Sequence, residues 1–226
     1  MKFTNKKLII FDLDGTLIDS SPDLALAINH MLKSIDRKTF STDTIHYWVG
    51  NGAEVLVKRA LSGSATIDET LDPELIKKAL KIFLDFYAQN LAVETVTYPH
   101  VPQTLKALKE HGYRLAIVTN KPFPFVEPIL KTLGLMENFE LILGGDSLDK
   151  KKPDPLPLLH VCKELNISVE ESIMVGDSKN DIQAANACNM QSIGLTYGYN
   201  YGENISVHNP SVVFDNFADI LSTLID

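Results

Sequence analysis

The sequence predicts an α/β fold: a doubly wound parallel sheet with an all-helical segment inserted after its first strand. Three observations carry this. Short, unalternated apolar runs recur along the chain, as expected of strands buried on both faces. Helical patterns fall between these runs, which implies right-handed crossovers. One interval is far longer than the roughly 30 residues of a simple crossover unit, and it reads as helices only.

The first run is Leu8-Ile9-Ile10-Phe11. Helical patterns follow at about 23–35, 42–48, 53–61 and 73–91. The last starts at Asp72-Pro73-Glu74, where a capping acid precedes Pro and Glu. Residues 19–96 are therefore expected to form an inserted helical cap, hinged at 18–22 and 96–102, with 1–18 and 97–226 forming the sheet-bearing core. Beyond it, a helix starts near Pro102 and stops at Gly112, with Pro in the first turn and Gly past the end. Strands follow at Leu115-Ala116-Ile117-Val118, Leu141-Ile142-Leu143, Ile173-Met174-Val175 and Ser192-Ile193-Gly194-Leu195, with a weaker one at Val212-Val213-Phe214. Helices at about 125–133, 155–165 and 181–189 lie between them.

Composition narrows the function classes. The chain has 226 residues, 45% hydrophobic and 22% charged, which suits a globular protein and not disorder, collagen or coiled coil. No apolar run approaches the roughly 18 residues of a membrane span, and the apolar stretch after Met1–Lys7 is too short for a signal-peptide core. The net charge of −8 argues against nucleic acid as a partner. Cys162 and Cys188 lack metal spacing and lie in helix-like stretches, so they read as reduced thiols, consistent with a cytoplasmic protein. An anionic substrate must then be attracted by local positive groups or a metal.

Four short segments carry chemistry, each where an apolar run ends or a helix begins. Asp12 and Asp14 stand two apart at the end of the first strand, and the carboxyl end of a central strand is where open α/β sheets bind ligands. Gly15 permits a sharp exit, and its amide could approach a phosphate; Asp-x-Asp-Gly also suits a solvated turn. Asp177 ends a later strand, with Asp181 in the following first helical turn. If the two strands are neighbours, Asp177 meets Asp12 and Asp14, and acids crowded together repel each other unless a cation sits among them. Oxygen ligands with room for phosphate and water suit Mg²⁺. Asp181 also suits helix capping. Thr119-Asn120 offers a hydroxyl and an amide to a phosphate, or a turn. In Lys150-Lys151-Lys152-Pro153-Asp154-Pro155, the prolines stiffen the backbone and aim Lys152, while Lys150 and Lys151 read as solvated.

Taken together, Asp12-Leu13-Asp14-Gly15-Thr16, Thr119-Asn120, Lys152 and Gly176-Asp177-Ser178-Lys179-Asn180-Asp181 resemble, in order, the four motifs of the haloacid dehalogenase-like phosphohydrolase superfamily. The resemblance covers the whole chain and implies a Rossmann-like core with a helical cap. A finer resemblance, to the bacterial phosphoglycolate phosphatase family, rests on Asp19-Ser20-Ser21-Pro22-Asp23-Leu24, Trp48-Val49-Gly50-Asn51-Gly52-Ala53 and Thr119-Asn120-Lys121-Pro122.

The resemblance implies Asp12 as nucleophile, forming an aspartyl-phosphate, and Asp14 as general acid and then base. It implies Mg²⁺ held by Asp12, the Asp14 backbone carbonyl and Asp177, with Asp181 behind them. Lys152 would neutralise charge, and Thr119, Asn120, Gly15 and Thr16 would hold the phosphate. Asn51, in the Gly50-Asn51-Gly52 segment of the cap, would read the far end of the substrate; the segment also suits an interhelix turn. The expected partner is a small phosphorylated anionic metabolite, with 2-phosphoglycolate foremost, acted on by a monomer or homodimer with no nucleic acid or membrane. Asp14 speaks for phosphoryl transfer and against dehalogenation. A phosphosugar mutase would use the same acids, and a phospho-accepting signalling module would share the acidic pocket and Lys but not the long insertion.

Overall fold

A computed structural model of the chain describes residues 2–225, so Met1 of the opening segment lies outside them. Strand β1 (Leu8–Phe11) sits at the centre of the sheet and is fully buried. The chain then runs through β2 (Ile18–Asp19) into four helices, α1 (Ser21–Ser34), α2 (Thr42–His46), α3 (Ala53–Ser62) and α4 (Pro73–Gln89), and returns through β3 (Val96–Thr97). The rest alternates: α5 (Val101–Glu110), β4 (Arg114–Val118), α6 (Phe123–Thr132), β5 (Leu141–Leu143), α7 (Leu156–Glu164), β6 (Ser172–Gly176), α8 (Lys179–Ala187), β7 (Gln191–Leu195), β8 (Val212–Phe214) and the short α9 (Leu221–Leu224). Six of these strands form a parallel sheet in the order β5-β4-β1-β6-β7-β8.

The apolar runs are explained by burial on both faces. Side chains alternate along a strand. Ile9 and Phe11 of β1 join one apolar cluster with Val101, Leu105 and Leu108 of α5 and Val126 and Ile129 of α6. Leu8 and Ile10 join a second, on the opposite face, with Leu158 and Val161 of α7 and Ala184 and Ala185 of α8. No polar alternation is possible when helices cover both sides.

The segments expected as hinges carry regular structure. Ile18 and Asp19 pair antiparallel with Thr97 and Val96, so the two chain crossings lie side by side. Helix α1 also begins at Ser21, inside the segment read as a hinge, because Pro22 can occupy the first turn. Among the described residues, no helix is long and apolar enough to cross a membrane.

Asp23 is buried and ties α1 to the segment between α4 and β3. Its carboxylate accepts from the amides of Val93, Glu94 and Thr95, each at 3.0 Å, and from Thr95 Oγ1 at 2.6 Å. Removing it leaves several buried donors unpaired, which is costlier than losing the bonds alone. Asp23→Ala should therefore lower the free energy of urea unfolding by about 2–4 kcal/mol; a loss near zero would contradict this.

Candidate active site

The register of the sheet brings the distant acids together. Phe11 pairs with Val175, so the chain leaves β1 and β6 at the same level. Asp12 follows β1 and donates its amide to Val175 O at 3.0 Å; Asp177 follows β6. Asp181 lies in the first turn of α8, one turn further. Carboxylate oxygens of Asp12, Asp177 and Asp181 lie within 4.8 Å of one another, and all three residues are buried.

Each acid is held by specific contacts. Asp12 Oδ1 accepts from the Leu13 amide at 2.7 Å and pairs with Lys152 Nζ at 3.0 Å. Asp177 accepts from Thr16 Oγ1 at 2.6 Å and from the Tyr199 amide at 2.7 Å. Asp181 divides its two oxygens between the helix and Lys152. One oxygen caps α8, accepting from the Ser178 amide at 3.0 Å and its hydroxyl at 2.8 Å; the other meets Lys152 Nζ at 2.5 Å. Lys152 is 2% exposed, whereas Lys150 and Lys151 are exposed.

Three carboxylates against one ammonium leave two negative charges in excess in a buried place. Burial, followed by the Asp181 charge, raises Asp12 to about 7 despite Lys152. Burial and the charges of Asp12 and Asp181 push Asp177 well above the ordinary carboxylate range. Burial opposes the charge on Lys152, but Asp12 and Asp181 outweigh it and raise that group. An all-oxygen cluster short of positive charge suits one hard divalent cation.

An acid whose folded pKa is raised keeps a proton that the unfolded chain has lost, so metal-free stability declines as pH rises from 3.8 toward about 7. A cation removes that penalty. The rise in Tm on adding Mg²⁺ should be larger at pH 8 than at pH 5.5, and nearly absent in Asp177→Asn. An equal rise at both pH values would contradict the cluster as the binding place.

Asp14 points elsewhere. Its side chain accepts from Ser20 Oγ at 2.5 Å, and Lys121 Nζ lies 3.0 and 3.2 Å from its two oxygens. Lys121 is 5% exposed and stands 4.9 Å from the Tyr87 ring centre. Burial alone would lower this ammonium, but Asp14 and then Tyr87 hold it above its usual value. The structure thus adds a second buried lysine, to which the sequence reading assigned no role.

Other expected contacts are rearranged. The Gly15 amide donates to Ile18 O at 2.9 Å, which closes a turn instead of facing a ligand. Glycine is required there by its φ of +90° and because a Cβ would run into Asp177. Thr16 spends its hydroxyl on Asp177. Thr119 follows β4, and its Oγ1 accepts from the Lys121 amide at 3.1 Å. Asn120 Nδ2 donates to Lys152 O at 3.0 Å and lies 3.4 Å from Gly50 O, while its buried Oδ1 is without a hydrogen-bond partner among the described residues. Asn51 accepts from Tyr201 Oη at 2.6 Å and lies 3.4 Å from Asn180 Oδ1. Its neighbours Gly50 and Gly52 line the cleft, and Asn51 does not.

That cleft, counted together with its mouth open to solvent, holds about 490 Å³ of empty space. Asp12, Asp14, Thr119, Asn120 and Lys121 form its polar end. Leu24, Val49, Leu56, Phe83, Tyr87 and Phe125 form apolar walls, most of them supplied by the insertion. The arrangement offers a carboxylate at the sheet edge, a second carboxylate beside it, two buried ammonium groups and a place for a cation.

Comparison with known proteins gives a consistent result. A family model described as haloacid dehalogenase-like hydrolase matches residues 9–195. A phosphoglycolate phosphatase of Colwellia psychrerythraea is 56% identical over 224 residues, covering 99% of each chain. One of Psychrobacter arcticus is 50% identical, covering 98% of this chain and 96% of its own. A crystal structure from Haemophilus somnus, described as a predicted phosphoglycolate phosphatase, superposes with a TM-score of 0.90 at 44% identity over 97% of this chain and 98% of its own.

Proposed function

The chain belongs to the haloacid dehalogenase-like hydrolase family, and from that premise we propose that it is a Mg²⁺-dependent phosphatase whose preferred substrate is 2-phosphoglycolate. The observation that carries this is the meeting of Asp12, Asp177 and Lys152 at the carboxyl edge of the central strands, with Asp14 beside them in the cleft. The substrate follows from the names of relatives that align over nearly the whole chain.

In this reading residues 19–96 form a cap over a core made of 1–18 and 97–226. Asp12, the Asp14 backbone carbonyl and Asp177 would hold Mg²⁺, with Asp181 behind them. The ion would cancel charge between an anionic nucleophile and a phosphate dianion. Asp12 attacks phosphorus, and a bond from its carboxylate oxygen forms as the ester bond breaks. Asp14 gives its proton to the departing alkoxide. It then takes one from the water that attacks the aspartyl-phosphate, releasing phosphate and restoring the Asp12 carboxylate. Lys152 holds Asp12 in place and offsets developing charge, and Thr119 and Asn120 border the phosphate. The apolar walls exclude water during the first step.

The test is phosphate release from a panel of small phosphate esters with and without Mg²⁺. Stoichiometric, Mg²⁺-dependent release, fastest for 2-phosphoglycolate, is expected. Isomerisation of a sugar phosphate without net release would point to a mutase, and a long-lived phosphoprotein without turnover to a signalling module.

A further inference from the structure

We propose that Lys121 reads the carboxylate of the substrate, and that its ion pair with Asp14 is the resting contact which the substrate replaces. The proposal rests on the phosphatase reading above and deepens it. It selects short phosphate esters bearing a carboxylate on the carbon next to the ester oxygen.

The cleft contains one cation suited to the task. Among the described residues that line it, Lys121 is the only Lys, Arg or His. Lys152 is committed to Asp12 and Asp181. The remaining walls are chiefly apolar and offer the hydroxyls of a sugar few partners. The same walls strengthen an attraction between charges by excluding water.

The ion pair cannot persist through catalysis. Asp14 spends both oxygens on Lys121 and one also on Ser20. To reach the ester oxygen, Asp14 must give up at least part of this contact. Lys121 would then be a buried ammonium facing only the Tyr87 ring, which is a costly state. A carboxylate one carbon from the ester oxygen arrives beside Asp14, within reach of Lys121. Its binding therefore frees the acid and re-pairs the cation in one exchange. A neutral-tailed ester offers no such replacement.

The test compares kcat/KM for 2-phosphoglycolate and for ethyl phosphate, its neutral-tailed counterpart, in wild type, Lys121→Met and Lys121→Arg. The ratio of the two values should fall roughly a hundredfold in Lys121→Met, chiefly through KM, and recover in part in Lys121→Arg. An unchanged ratio would overturn the assignment and leave Lys121 as a residue that only positions Asp14. A second measurement needs no variant: glycolate should inhibit the wild type at least tenfold more strongly than glycolamide, and equal inhibition would also overturn it. Phosphate release from neither ester by the wild type would overturn the phosphatase reading itself, so the two failures are distinguishable.

Discussion

Asp12→Asn should reduce phosphate release by at least about a thousandfold, since in the proposed mechanism the loss of the covalent nucleophile removes the step on which the rest depends. The fold should survive. Asp12 is one of three crowded carboxylates, and burial and the Asp181 charge already raise it to about 7. A neutral amide of the same shape relieves that repulsion, while Lys152 keeps Asp181 as partner. In metal-free buffer at pH 8 the variant's Tm should therefore match or exceed that of the wild type. Phosphate release and a thermal melt check both halves. Activity within tenfold of wild type would remove Asp12 from the nucleophile role.

Lys152→Met should have the opposite effect on stability. It withdraws the only ammonium among the described residues that contacts the acidic cluster and leaves carboxylates buried without compensation, a change of about 3–5 kcal/mol in comparable settings. The acids in the variant hold protons to higher pH than in the unfolded chain, so the deficit grows as pH rises through their folded values. Urea unfolding at pH 5.5 and pH 8 should show the larger loss at pH 8. Saturating Mg²⁺ should restore part of it. A deficit that is the same at both pH values, or absent, would mean that Lys152 does not neutralise this cluster.

The sheet was legible in the sequence because its signal is local: burial on both faces forces continuous apolar runs. Asp12 and Asp177 were legible because each follows such a run, and Asp14 because it stands two residues beyond Asp12. Lys121 was not, because its partners Asp14 and Tyr87 are remote in sequence and no spacing marks them. A signal was present nonetheless. Both buried lysines immediately precede a proline, Lys121-Pro122 and Lys152-Pro153, and the backbone stiffening that aims the second acts equally on the first. Asp23 was quoted only within the segment that carries the finer resemblance; its structural part was hidden because the amides of Val93, Glu94 and Thr95 that converge on it lie about seventy residues further along the chain. The hinge pairing is two residues long and carries no periodicity at all. Asn51 and the Gly15 amide were assigned to a ligand because polar groups near a site invite it; the fold had already used both.

The acidic cluster beside the cleft is bounded by missing side chains. A Cβ at Gly15 or Gly198 would run into the Asp177 carboxylate, and one at Gly176 into Asp181. These three positions admit no other amino acid without dislodging an acid, and hence the chemistry. The walls carry no such restriction, since Leu24, Val49, Leu56 and Phe83 need only remain apolar and of suitable bulk. Divergence among descendants of this protein is thus channelled: new preferences can accumulate by drift in the insertion while the phosphorus chemistry beneath stays frozen.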